Sequence, residues 1–441
     1  MAKTLLSATL ALGLLAALVE ASPNSWTDIT LSGDVPDVQN NDGVLGITAS
    51  RGLLYVLIST MSWIGLDMEC EYSTLLTEID PTSGVCTRLD VATGVTGNPP
   101  DQIGPHTLAG FDAWDGKLYK FGGGGWVVVG EQSAWQISND LHEFDPATRV
   151  WQQLDGATGV TGIAPSARYS MGFSASNGSL FVSFGYGSSW ENDIFRYEIS
   201  TKTWSELSSG NSWKKQFGQT MLGDTLYVFG GYDTSFLALQ TSDPAAQLTE
   251  VAAQGDVPTG NPPNAYIYSP ALVAVGEKLV LFGGSVSSEG ECCDWHVLNN
   301  LHLYSTHTNT WVQVNNAMGQ VPPLSDPDRY DHYGSRATVI GGSMYVFGGF
   351  ATSVQTNTQS AGLFRYEVET EGLDKCPPGL TGPNGGPCTE CVAGTYKSET
   401  GNAACTNCAA GEYSRAVDTT SDVCQECLVL SRQCDCLVLG C

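Results

Sequence analysis

Apolar and polar residues alternate in the same order in three segments of equal length. Each segment opens on Asn, runs through alternating apolar residues and a short polar turn, and closes on Trp. The segments are Asn139–Trp151, Asn192–Trp204 and Asn299–Trp311. A period of two is typical of a β-strand with one buried face, and Asp, Ser, Thr and Asn favour tight turns. Because a single hairpin cannot bury its apolar face alone, three copies predict hairpins stacked on one another.

Another apolar strand precedes each hairpin, and in most copies it ends in glycine. The clear copies are LYKFGG, LYVFGG, LVLFGG and MYVFGG, which begin at Leu118, Leu226, Leu279 and Met344. In FVSFGY, Tyr186 replaces the second glycine, and LYVLIS, from Leu54, has neither glycine. A tight-turn pair, such as Asp115-Gly116, joins each run to another strand upstream. The repeated unit is therefore strand a, a tight turn, strand b, a variable connection, strand c, a short turn, and strand d beginning at Trp.

Six such units follow one another, and three of them depart from the pattern. Cys86 takes the Trp position in the first unit, the fourth offers Leu248, and the sixth has no Trp strand. Trp26–Ile29 matches the start of strand d but has no hairpin before it. The sequence thus predicts an all-β fold, a six-bladed β-propeller in which this N-terminal strand completes the last blade. Such closure leaves no sheet edge exposed.

These positions resemble the Kelch-repeat family over about residues 26–373. The Phe-Gly-Gly, Asn-Asp-Leu and Trp positions recur in register. The resemblance implies a Kelch-type propeller, a fold that hosts adaptors, receptors and enzymes, so it leaves the activity open. The signal peptide described next does not suit the intracellular ubiquitin-adaptor type.

The N-terminus predicts entry into the secretory pathway. Residues 1–21 combine Lys3, an apolar core and a small-residue cleavage pattern, which is typical of a signal peptide. The propeller is expected over residues 22–373, and no second apolar segment has the length of a transmembrane helix. We expect a secreted, extracellular protein, or one held at the cell surface if the gene model is truncated. The net charge of −27, without a basic run, argues against nucleic acid as a partner.

The chain has 14 cysteines, and ten of them lie from Cys376 onward. The segment 376–427 alternates CxxC pairs with Gly-x-Tyr, and such pairs are compatible with a zinc site or with disulfides. A secreted chain favours disulfides, which replace a core in a segment poor in aliphatic residues. The predicted disulfide cysteines are Cys376, Cys388, Cys391, Cys405, Cys408 and Cys424. Residues 428–441 form a cysteine-containing tail without a recognisable pattern.

The segment 376–427 resembles the cysteine-rich repeats of ephrin-receptor ectodomains, the GCC2/GCC3-type module. The resemblance implies an extracellular spacer or interaction module, without a kinase. It also implies the pairs Cys391–Cys405 and Cys408–Cys424.

Four further cysteines lie in the predicted propeller. The length of strand c argues against a bridge between Cys70 and Cys86, so Cys86 is interpreted as a buried thiol. Cys292 and Cys293 are compatible with a vicinal disulfide or with a bridge to Cys70.

Connection lengths indicate where a partner binds. The a–b and c–d turns are short throughout, whereas the b–c and d–a connections are long, and both of these emerge on one face of the ring. Binding residues generally lie on variable loops over a rigid scaffold. Exposed aromatic rings beside carboxylates suit protein or glycan recognition, although each Trp is equally compatible with anchoring its own loop. The candidate ligand-binding residues are Trp63, Trp126, Trp135, Trp190, Trp295, Glu69, Glu131 and Asp294.

Other marked residues are interpreted as structural. The repeated Trp151, Trp204 and Trp311 are expected to pack between blades. His142 and His302 belong to the scaffold rather than to a metal site, and Arg168 and Arg329 are expected to pair with carboxylates. Asn177, in Asn-Gly-Ser, matches the N-glycosylation acceptor pattern.

Two classes of function remain at this stage. The first is a binding protein that uses its propeller loops on a protein or glycan partner and needs no cofactor. The alternative is a copper oxidase resembling galactose oxidase, or another sugar-processing enzyme, with His106, His296 and His332 near the loop face. No copper-ligand motif accompanies these histidines, and no GxSxG, HExxH or P-loop pattern occurs.

Overall fold

The computed structural model describes most of the propeller and short parts of the cysteine-rich region. The described residues are 24–36, 43–64, 69–100, 108–129, 132–209, 212–259, 266–287, 295–315, 317–322, 336–353, 358–368, 380–381, 389–391, 395–397, 405–408, 412–413 and 425–426. The predicted signal peptide 1–21 and tail 428–441 lie outside these ranges, as do Arg329, Cys292 and Cys293.

The fold is all-β, a six-bladed propeller, as the sequence predicts. Strand a of blades 1 to 6 spans Gly43–Ser50, Gly110–Trp114, Gly172–Ser176, Gly218–Leu222, Ala271–Val275 and Arg336–Ile340. Strand b spans Leu53–Ile64, Lys117–Phe121, Ser179–Ser183, Thr225–Phe229, Lys278–Phe282 and Ser343–Ser353. Strand c spans Glu69–Ile79, Leu141–Asp145, Asp193–Glu198, Phe236–Gln240, Leu301–Ser305 and Thr358–Glu367. Strand d spans Val85–Leu89, Val150–Leu154, Thr203–Ser209, Thr249–Glu250, Thr310–Gln313 and, from the N-terminus, Ser25–Ile29.

The N-terminal strand closes the ring. Ser25–Ile29 pairs antiparallel with Glu367 through Leu363, so it serves as strand d of blade 6. Each strand a contacts strand a of the next blade, and blade 6 contacts blade 1. Both findings confirm the predicted closure.

Apolar clusters fill the interfaces between blades. Trp151 packs with Leu45 and Tyr55 of blade 1 and with Phe144 of its own blade. Trp204 and Trp311 occupy the same position between blades 2 and 3 and between blades 4 and 5. Cys86, a free buried thiol, packs against Phe347 of blade 6 in place of a Trp. The repeated Trp positions are therefore confirmed as structural.

In five of the blades, a short strand from the preceding connection pairs in parallel with strand d at the outer edge of the blade. These edge strands are Ser32–Gly33, Thr96–Gly97, Thr161–Gly162, Gln254–Gly255 and Met318–Gly319. Each pairs with the first residues of strand d, as Thr96 and Gly97 do with Val150 and Trp151. The 3₁₀ turns Val91–Thr93 and Gly156–Thr158 precede two of them, each within a capping box. Much of the d–a segments thus has a structural role. The prediction that these segments are recognition loops is therefore limited to their remaining residues.

The described parts of the cysteine-rich region are three two-stranded ribbons. They pair Leu380–Thr381 with Thr389–Glu390, Thr395–Tyr396 with Thr406–Asn407, and Glu412–Tyr413 with Gln425–Glu426. A disulfide joins Cys391 to Cys405, the pair that the ephrin-receptor-like resemblance implies. No helix in the described ranges is long and apolar enough to cross a bilayer.

Candidate binding face

The b–c connections and the d–a connections meet at one face of the ring, here called the b–c face. In blades 1 and 6 the long b–c segments are continuations of strands b and c. In blades 2 and 5 they form separate ribbons, Gly124–Val129 with Gln132–Ile137 and Ser285–Ser287 with Trp295–Val297. The described parts of four predicted loops are therefore β-ribbons, in which backbone pairing satisfies the polar groups of the main chain.

The ribbons place several of the predicted site residues. Trp126 and Trp135 are cross-strand partners in the blade 2 ribbon. In blade 1, Trp63 pairs with Cys70 and Glu69 pairs with Ile64; in blade 5, Trp295 pairs with Ser287. Glu131 and Asp294 lie outside the described residues.

A continuous series of aromatic rings runs across blades 2 to 5 on this face. We call it the aromatic arc; its members are Trp135, Tyr169, Tyr186, Trp190, Tyr232, Tyr266 and Tyr268. Successive ring centroids are 5.9 Å apart for Trp135 and Tyr169, 5.6 Å for Tyr169 and Tyr186, and 5.6 Å for Tyr186 and Trp190. Tyr232 then lies 4.9 Å from both Trp190 and Tyr268. The arc brings together the predicted Trp135 and Trp190.

Parts of the arc are open to solvent. The exposed fractions are 37% for Trp135 and for Trp190 and 36% for Tyr232, whereas Tyr268 is 4% exposed. Tyrosine and tryptophan offer a large rigid contact area at a low cost in conformational entropy. The buried rings therefore hold the exposed rings in place, and the exposed rings form a binding surface.

Equivalent positions in successive blades build the arc. Tyr169 and Tyr268 lie three residues before strand a of their blades, and Lys215 holds the same position in blade 4. Tyr186 and Tyr232 both lie three residues after strand b. Backbone hydrogen bonds of 2.9 Å in both directions join Tyr169 to Tyr186. Tyr186 in place of the second glycine is a visible signal in the sequence, whereas no local pattern distinguishes Tyr232, Tyr266 and Tyr268 from ordinary loop residues.

Lys215 lies among three rings of the arc. Its Nζ is 4.9 Å from the centroid of Trp190, 5.1 Å from that of Tyr232 and 5.4 Å from that of Tyr186. The negative faces of aromatic rings attract a cation within about 6 Å, most strongly for Trp. The ammonium group is thereby held at the centre of the arc.

Two buried cations support the connections beneath the arc. The guanidinium of Arg168, fully buried, pairs with Asp193 and donates to the Phe184 carbonyl at 3.0 Å. At the equivalent position in blade 4, Lys214 pairs with Asp233 at 2.5 Å and donates to the Gly230 carbonyl at 3.0 Å. Burial lowers the pKa of Lys214, and Asp233 opposes that shift. The structural prediction for Arg168 is confirmed.

The family comparison agrees with the blade architecture. The sequence model of the Attractin/LZTR1 β-propeller family matches residues 95–359, which is more than half of the chain. The chain belongs to the Attractin/LZTR1 β-propeller family.

Curated relatives of this Attractin/LZTR1-type propeller are Kelch-domain proteins. Kelch domain-containing protein 10 of Homo sapiens is 27% identical over 238 residues, 49% of this chain and 48% of that protein. Leucine-zipper-like transcriptional regulator 1 of Pongo abelii is 25% identical over 302 residues, 64% of this chain and 31% of that protein. Kelch domain-containing protein 3 of Bos taurus is 22% identical over 280 residues, 59% of this chain and 70% of that protein. The chain spans about half the length of the first relatives it matches. Proteins of this type typically mediate protein–protein interaction rather than catalysis.

The central channel of the Attractin/LZTR1-type propeller is narrow. Strand a residues of all six blades line a cavity of about 120 Å³ along the axis, with Phe111, Phe173 and Leu272 among them. Small-molecule pockets usually measure roughly 300–1,000 Å³. The arc, rather than the channel, is therefore the candidate site of this Attractin/LZTR1-type chain.

The histidines of strand c belong to the scaffold, as the sequence predicts. His142 packs edge-on against Trp151, and His302 packs in the same way against Trp311, at centroid distances of 6.5 Å. Burial lowers the pKa of both imidazoles to about 4, so they are neutral at pH 7. Among the described side chains, no three His, Cys, Asp or Glu residues are placed to hold a metal ion. His106, His332 and the side chain of His296 lie outside the described part of the chain.

Proposed function

We propose that this chain is a binding protein of the secretory pathway that recognises a partner protein through the aromatic arc. The observation that carries the proposal is the arc itself, seven aromatic rings spanning four blades on one face. Buried aromatic anchors with partly exposed neighbours are the features that dominate binding energy at protein interfaces. The family supports the same conclusion, since Kelch-type propellers commonly bind proteins.

The secretory location and the role of the cysteine-rich region are parts of this proposal. The N-terminal signal pattern and the cysteine content support them. The ephrin-receptor-like segment would hold the propeller away from a surface, as a disulfide-linked spacer. The Cys391–Cys405 disulfide supports this assignment.

Replacing Trp190 and Tyr232 together with Ala is expected to remove partner binding without lowering the melting temperature by more than a few degrees. Each ring is about one-third exposed and neither belongs to the apolar clusters between the blades, so their loss removes contact area and leaves these clusters intact. The mature protein is screened against a panel of purified extracellular ectodomains and against a glycan array. Each captured probe is then tested with the double variant.

The control for this double variant is His307→Ala, on the opposite face, where the His307 side chain is 41% exposed and contacts Glu277. It should bind as the parent does. Ectodomain binding that survives loss of both arc rings would refute the proposal, and capture of glycans alone would change the class of partner.

Asn177 offers a separate test of the secretory location. Asn177 is exposed at the a–b turn of blade 3, on the face opposite the arc, and its side-chain amide donates to Asp224 at 2.7 Å. The full chain, expressed in a secreting eukaryotic cell, is expected to carry a glycan there that peptide N-glycosidase removes. Asn177→Gln and Ser179→Ala should both abolish the mobility shift, whereas Ser179→Thr should keep it. A parent protein whose mobility the enzyme does not change would contradict this prediction.

A further inference from the structure

Lys215 has different surroundings from three other cations of the propeller. Lys214 pairs with Asp233, Arg168 pairs with Asp193, and Lys117 pairs with Glu143 at 2.5 Å. Lys215 instead meets three rings, and in the described part of the chain no carboxylate lies within ion-pair distance of it. The chain has 46 acidic and 19 basic residues, so carboxylates outnumber the cations that could pair with them.

Aromatic rings position an ammonium group but do not replace an anion. They attract the charge through their quadrupole, whereas the three N–H donors bind best to charged oxygen acceptors. The rings also exclude part of the surrounding water, which strengthens a charged hydrogen bond to an incoming group. Because the side chain is already held in place, less conformational entropy is lost on binding.

We propose that Lys215 is the charged centre of the arc and binds an Asp or Glu side chain in an extended acidic segment of the partner protein. An apolar residue next to that carboxylate would contact the exposed faces of Trp190 and Tyr232. The inference rests on the proposed function, because it names the partner chemistry of the same face. Charge complementarity at Lys215 selects the carboxylate, and the two flanking rings select its apolar neighbour.

The net charge of the chain restricts which acidic segments can bind at Lys215. A net charge of −27 repels an acidic segment at long range, so the attraction must be local to Lys215. A run of Glu without apolar neighbours should therefore bind poorly. An apolar segment without a carboxylate should also bind poorly.

The experiment uses an immobilised peptide library and the mature protein. Each acidic peptide, with Glu or Asp beside Leu or Phe, has a matched Gln or Asn peptide, a Lys peptide and a poly-Glu peptide. We expect binding of the acidic–apolar peptides and a loss of about tenfold or more on Glu→Gln replacement, since hydrogen bonds to charged groups are the strong ones. Sialylated and desialylated glycans form a separate arm.

The protein variants test the role of Lys215 directly. Lys215→Met, whose side chain packs well against aromatic rings, should reduce binding about tenfold or more, and Lys215→Arg should retain most of it. Lys117→Met, on the opposite face, removes the same charge and should bind as the parent does. Thermal melting of each variant checks its folding, and the Glu→Gln peptides test the same contact with the parent protein.

The possible outcomes separate this inference from the proposed function. If Trp190→Ala with Tyr232→Ala removes binding but Lys215→Met does not, the arc binds a partner and the acidic specificity is wrong. Equal binding of Glu and Gln peptides overturns the inference, as does the absence of binding to every acidic peptide. Binding of sialylated glycans alone keeps the carboxylate but refutes the peptide as its source.

Discussion

Deleting residues 22–31 is expected to remove most of the stability of the propeller. The deletion takes away strand d of blade 6, which pairs with all five positions from Leu363 to Glu367. It also removes Trp26, whose ring is 5.0 Å from those of Phe282 and Tyr366, between blades 5 and 6. An open edge on blade 6 would then face solvent, where it favours aggregation. The midpoint of denaturant unfolding measures the loss.

The single substitution Trp26→Ala removes the packing of the Trp26 ring but keeps the strand that closes the propeller. It should cost about 3–5 kcal/mol of unfolding free energy, the usual range for removing a buried Trp. Trp213→Ala is the matched control, because Trp213 is 61% exposed and the same change there should cost less than about 0.5 kcal/mol. A deletion variant that melts like its parent would mean that the ring does not depend on this strand.

Gly97→Ala is expected to lower the unfolding free energy by about 3 kcal/mol or more. Gly97 has a φ of +92°, a conformation that costs an L-residue about 1–2 kcal/mol, and a Cβ there would overlap the Trp151 carbonyl oxygen. Relieving that overlap would pull the edge strand away from blade 2. The hydrogen bonds from Thr96 to Arg149, at 3.0 Å, and from Asn98 to Trp151, at 2.9 Å, would weaken, each contributing about 0.5–1.5 kcal/mol.

Gly94, in the same segment, supplies the control for this substitution. It has a φ of +89° but no atom within 4 Å of the position of a Cβ. Gly94→Ala should therefore cost only the conformational part, about 1–2 kcal/mol. Chemical denaturation of both variants gives the comparison. Equal losses would show that the close approach of Gly97 to Trp151 contributes nothing to the cost of the substitution.

The edge strands correspond to a short pattern that recurs in the sequence. Thr96-Gly97 and Thr161-Gly162 lie in identical six-residue segments, ATGVTG, which begin at Ala92 and at Ala157. Because Gly and Thr are common in turns, the local pattern predicts variable loops at these positions. Their role depends on a strand d that lies more than 40 residues later in the chain, so no local pattern discloses it.

The arc could be predicted only in part, for a related reason. Trp135 and Trp190 stand out in the sequence as aromatic residues on long connections, but Tyr169, Tyr232, Tyr266 and Tyr268 look like ordinary loop residues. They meet because the start of strand a lies beside the end of strand b, within a blade for Tyr169 and Tyr186 and between neighbouring blades for Tyr268 and Tyr232.

The sequence by itself determined the strands, the blade count and the closing N-terminal strand. Each of these follows from alternation, turn chemistry and repeated Trp positions, which are local or periodic properties. The tertiary structure decided which connections are ribbons, which segments join the blades, and which rings surround Lys215. The edge strands and the rings around Lys215 join blades through residues that are far apart along the chain, so periodicity carries no information about them. The ribbons are local, but they do not repeat from blade to blade.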